Sequence, residues 1–108
     1  DQRNIVAMEI DVLYSPSLGS FTDAEGATTC TVMTPAEYSP FDDQPAEGRL
    51  DLAFVWFHEV AGGVDLVRCT FTATTGAGPG TFEVVVTNAS NASNGFLSPP
   101  PIVGYRFD

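Results

Sequence analysis

From Leu66 to Val86 the chain reads as strand, Gly/Pro turn, strand, and this confines it to an all-β packing. In the first segment Val67, Cys69, Phe71 and Ala73 share one face while Arg68, Thr70 and Thr72 share the other, the period-2 signature of a half-buried strand. In the second, Phe82, Val84 and Val86 oppose Thr81, Glu83 and Thr87. Gly76, Gly78, Pro79 and Gly80 between them supply the dihedrals a reversal needs, so a hairpin is expected. A chain built this way carries its function on a sheet face, an edge or a loop.

The same alternation recurs elsewhere. Val6, Met8, Ile10, Val12 and Tyr14 are apolar while Glu9 and Asp11 take the other side, giving a strand packed on one face. A short strand through Thr29–Met33 carries Cys30. Leu50, Leu52, Phe54 and Trp56 alternate with Asp51, Ala53, Val55 and Phe57, a strand apolar on both faces toward its end and therefore central. Trp56 reads as a core residue on this alternation. Pro35 to Gly48 reads as a long connection or short edge strand anchored by Tyr38 and Phe41. Thr87 to Gly95 reads as a polar loop. Ser98-Pro99-Pro100-Pro101 favours an extended spacer, after which residues 102–108 resume alternation with Val103, Tyr105 and Phe107 on one side. The expectation is one antiparallel β-sandwich domain over residues 1–108.

A chain of 108 residues can bury roughly 65% of the surface its unfolded form exposes, enough for one core. No apolar run approaches the ~20 residues of a membrane helix, so membrane insertion is not expected. Fourteen carboxylates stand against four arginines and no lysine, a formal charge of −10. Arg3, Arg49, Arg68 and Arg106 are scattered singly, and without a basic patch to displace counterions nucleic acid is excluded as a partner.

Cys30 and Cys69 allow one intramolecular disulfide, which suits an extracellular protein. The chain opens at Asp1-Gln2-Arg3-Asn4 without methionine, as a processed chain would. Catalysis is not expected. His58 is the lone histidine, and the adjacent Glu59 points to the opposite face of a strand, where the two cannot share a proton. No serine sits in a Gly-x-Ser-x-Gly elbow. Asp42-Asp43 with Glu47, and Asp23 with Glu25, offer oxygens to calcium but lack a calcium-loop spacing and read as solvated loops. Cys30, Cys69 and His58 lack the close cysteine pairs of structural zinc, so neither metal nor cofactor is expected. Asn88-Ala89-Ser90 and Asn91-Ala92-Ser93 are consecutive glycan acceptors.

Three segments in order resemble the cohesin-type module, an extracellular bacterial jelly-roll β-sandwich related to carbohydrate-binding modules. They are Ile5 to Leu18, ending in Tyr14-Ser15-Pro16-Ser17-Leu18; Gly48-Arg49-Leu50-Asp51-Leu52-Ala53-Phe54; and the Gly76 to Phe82 turn. The resemblance implies a non-catalytic interaction module and covers most of residues 5–107. Members carry one more strand before the one near Ile5, so it also implies a sandwich lacking an edge strand. A missing strand leaves unpaired backbone groups that an added strand would satisfy. The expected work is therefore structural: a subunit of a surface or filamentous assembly in which Val103, Tyr105 and Phe107 of one chain complete the sheet of the next. The partner would be another copy or a second protein, and the alternative is a glycan-binding module.

Overall fold

The computed structural model describes residues 5–16, 18–60, 64–73, 81–91, 95–96 and 103–105, giving the backbone alone for 57–59, 91, 95 and 96. Nine strands lie in it: β1 Ile5–Leu13, β2 Gly19–Ser20, β3 Cys30–Val32, β4 Phe41–Gln44, β5 Arg49–Val60, β6 Val67–Cys69, β7 Thr72–Ala73, β8 Glu83–Asn91 and β9 Gly95–Phe96. All pairings are antiparallel, and the protein is a β-sandwich.

One layer is a five-stranded sheet in the order β4-β5-β1-β8-β9. Its inner face carries the even-numbered residues of β1 and β5, as their alternation requires: Met8, Ile10, Leu50, Leu52, Phe54 and Trp56 are all buried. Trp56 is 2% exposed, stacks on Phe54 at 5.3 Å and donates its indole N–H to the Thr34 carbonyl at 3.4 Å. A buried indole needs such an acceptor.

The other layer is a ribbon of two broken strands, β2/β3 against β6/β7. Gly19↔Ala73 and Ser20↔Thr72 pair at one end, Cys30↔Cys69 to Val32↔Val67 at the other. Between them residues 21–29 form an excursion closed by the Thr22↔Thr28 bridge, and Asp23 Oδ1 accepts the N–H groups of Glu25 and Ala27 at 2.9 Å. Asp23 and Glu25 thus sit in a self-capped turn. The Cys30–Cys69 disulfide forms between directly opposed residues with Cα atoms 4.0 Å apart.

Three sequence expectations need correction. The Leu66–Val86 segment is no hairpin: β6/β7 pairs with β2/β3, whereas β8 pairs with β1, so the chain crosses between layers. Placing the two segments in opposite layers sets Phe71 edge to face against Phe82 at 5.0 Å across the core. The polar loop expected from Thr87 is strand as far as Asn91, because Asn88, Ala89 and Ser90 find ladder partners in Glu9, Met8 and Ala7. Pairing overrides the weak strand preference of Asn. Finally, Asp42 and Asp43 lie on strand β4 rather than in a solvated loop.

Tight packing at the β4–β5 turn rests on one glycine. Gly48 has φ +66°, and a Cβ there would meet the Tyr14 carbonyl oxygen at 2.0 Å. The Tyr14 N–H donates to the Gly48 carbonyl at 2.8 Å, locking this turn to the end of β1.

Candidate functional site

Three regions concern function: a carboxylate that ties the layers together, the outer face of the large sheet, and the inner face of β8.

Asp43 is an inward-facing residue of β4, paired with Leu50. Its Oδ1 accepts the Tyr14 hydroxyl at 2.5 Å, and its Oδ2 accepts the Phe21 N–H and the Thr22 hydroxyl, both at 2.7 Å. One side chain therefore holds the β1 end, the edge of the five-stranded sheet and the excursion together. Burial, then the hydrogen bond to the Asp43 carboxylate and its charge, push the Tyr14 phenol well above its usual range. Tyr14 packs edge-on against Phe21, Phe71 and Phe82, closing one end of the core. Asp43 is a structural pin.

The outer face is built in register. Tyr38 bridges Val55, and the same alignment continues through Phe41↔Leu52 to Gln44↔Arg49, so Tyr38, Asp42 and Gln44 share the outer face with Val55, Asp51 and Arg49. Pro40 interrupts no interior ladder, because this is an edge. Tyr38 is no anchor: it is 65% exposed. Phe41, facing inward, packs on Phe54 at 5.5 Å.

Across three adjacent strands Asp42, Asp51 and Asp11 stand directly opposite one another. With Glu9 and Arg49 they line a groove of about 390 Å³ floored at Ala53. Arg49 Nε lies 3.0 Å from Asp51 Oδ1 without hydrogen-bond alignment, while Nη2 donates to Gln44 Oε1 at 2.8 Å. Gln44 Nε2 donates in turn to Asp42 and Asp51. Partial burial, then the hydrogen bond and charge of Asp51, hold the Asp11 carboxyl above the ordinary carboxylate range; Arg49 offsets part of this and Glu9 adds to it. Like charges opposed across strands are destabilising. Among the described residues no three His, Cys, Asp or Glu side chains are placed to hold a metal ion.

A measurable consequence follows from the raised Asp11 value. The folded state holds that proton more tightly than the unfolded chain, so the stability it confers is present below the unfolded value near 4 and is lost as pH rises through the folded value. Asp11→Asn should raise stability by about 0.5–1 kcal/mol at pH 7 and leave it unchanged at pH 3. Urea midpoints of both proteins at the two pH values check this; equal midpoints at pH 7 would refute it.

The inner face of β8 is less covered. The ribbon's β2/β3 strand lies over β4 and β5 through Asp43 and Trp56, and β6/β7 lies next to it, with Phe71 against Tyr14 and Phe82. Val84 and Val86, which point inward from β8 opposite Val12 and Ile10, remain half-buried. No family model, curated protein or solved structure matches this chain. The site must be judged on its own geometry.

Of the residues singled out in the sequence, Cys30 and Cys69 are joined. Asn88 sits half-buried on β8 with Nδ2 3.5 Å from Glu9 Oε1, and Asn91 ends that strand beside Gly95. Val103 packs against the core, and Tyr105 meets Phe82 edge-on at 5.6 Å, its hydroxyl accepting the Phe82 N–H at 3.2 Å. Residues 103–105 lie outside the nine strands; Ile102, Phe107 and the Pro99–Pro101 spacer lie outside the described residues, as do the side chains of His58 and Glu59. The register of Asp11, Asp42 and Asp51, the Asp43 pin and the exposure of Tyr38 were missed. Alternation alone assigns a residue to a face and cannot say who stands opposite.

Proposed function

We propose that this protein is a non-catalytic, extracellular interaction module of cohesin-like type, a subunit of a surface or filamentous assembly joined by strand complementation. The observation that carries the reading is the mismatch of the layers: among the described residues a five-stranded sheet faces a two-stranded ribbon, and Val84 and Val86 stay half-buried beside it. A strand added along the outer edge of β6/β7 would cover both valines and satisfy that edge's backbone groups, the mechanism of β-augmentation. The donor is the tail. Val103 packs against its own core and Tyr105 sets its ring on Phe82 from outside the nine strands, so the same contacts made in trans link one chain to the next. Head-to-tail exchange whose rotation does not close into a ring yields filaments. The disulfide fits an oxidising compartment, and Asn88 and Asn91 are its glycan acceptors, to be checked by peptide mapping of native material.

Light scattering of the full chain against a chain ending at Pro101 tests the donor. Assembly by the full chain, with a truncated form that stays folded and monomeric, is the expected result. A truncated chain that unfolds, or one that still assembles, overturns donation by the tail.

A further inference from the structure

Carboxylates are spread over both layers of this domain. Glu9 and Asp42 are exposed on the outer face of the large sheet, Asp23 and Glu25 on the excursion of the ribbon, Asp65 ahead of β6 and Glu83 at the start of β8. Against fourteen carboxylates the whole chain sets four arginines and no lysine. Arg49 is already taken up by Asp51 and Gln44, and Arg68 is the one exposed arginine among the described residues. A net charge of −10 on so small a domain repels itself, which opposes the compact state and the approach of a second copy alike.

Distance decides how much salt relieves this. Asp42, Asp51 and Asp11 oppose one another on adjacent strands, where Cα atoms are about 5 Å apart. The screening length is about 8 Å at physiological ionic strength and about 3 Å at 1 M, so ordinary salt leaves such neighbours in each other's field and molar salt does not. The missing lysines fit the same condition. A lysine beside this row would relieve it in dilute salt, yet its four-carbon stem adds apolar surface that salts excluded from the protein surface drive together, and a carboxylate adds little. We propose that this domain is built to work in concentrated salt: molar monovalent salt screens its carboxylates and completes its stability and, resting on the strand-complementation reading, lets chains of like charge come close enough to exchange tails.

Thermal unfolding of the full chain, dilute enough for the midpoint to be independent of protein concentration, tests the stability. Raising NaCl from about 0.1 M to about 2 M should raise the midpoint by about 10 °C, and equimolar KCl should do the same. A variant carrying Glu9→Gln, Glu25→Gln, Asp42→Asn and Glu83→Gln loses four of the ten net negative charges. Because self-repulsion scales with the square of the charge, its midpoint should start higher in dilute salt and rise only about a third as far. A native midpoint that does not rise, a rise with NaCl and none with KCl, or an equal rise in the variant each overturns the proposal. Light scattering of concentrated full chain through the same salt series reads assembly separately. Assembly that grows with salt is expected, and assembly equal at every salt overturns the gating. No assembly at any salt, with the midpoint still rising, would overturn strand complementation and keep the salt-built fold.

Discussion

Reducing the Cys30–Cys69 bridge, or replacing both cysteines by serine, should lower stability by roughly 4 kcal/mol, the chain-entropy value for the loop its 39-residue separation closes. The bridge matters here for a structural reason beyond loop length. It sits in the smaller layer, whose ladders are only two and three residue pairs long, too short to hold the ribbon to the larger sheet unaided. Urea unfolding with and without reductant measures the effect. A midpoint unchanged on verified reduction would mean that the ribbon's packing of Phe21, Phe71 and Leu66 already suffices.

Asp43→Ala should cost about 2–4 kcal/mol, because it strands the Phe21 N–H and the Tyr14 and Thr22 hydroxyls at a half-buried position without their shared acceptor. The companion Tyr14→Phe removes one donor and keeps the ring against Phe21, Phe71 and Phe82, so its loss should be about 1–2 kcal/mol. Denaturant unfolding of the two variants, and of the double variant, should show less than additive losses, since the residues act through one bond. Additive losses would place Asp43 outside the network described.

How much of this could be read from the sequence follows from the range of each interaction. The faces of β1 and β5 were legible, since Met8, Ile10, Leu52 and Trp56 announce themselves by alternation within a few residues. The disulfide was legible by elimination: two cysteines, one pair. The partner of β8 was not. Alternation of Phe82, Val84 and Val86 says that one face is buried but is silent on whether β7 or β1 lies alongside, and the Gly/Pro-rich turn was equally compatible with a crossover. The Asp43 pin joins residues 21 to 29 positions apart, which no local pattern reports. The acidic row was half legible: Asp11 and Asp51 fall on polar faces by parity, whereas their opposition depends on register, which only the folded ladder fixes. Tyr38 misled because an aromatic amid Pro, Ser and Asp residues reads as an anchor; on an edge strand facing outward it has nothing to anchor to.

Amide hydrogen exchange of the full chain, compared between dilute and concentrated solution, tests the strand-accepting account most directly. The prediction is protection gained on concentration across Val67–Ala73, where the incoming strand pairs, with none gained at the Tyr38–Gln44 edge. Protection gained at Tyr38–Gln44 instead, or exchange at Val67–Ala73 that stays the same at every concentration, would contradict it.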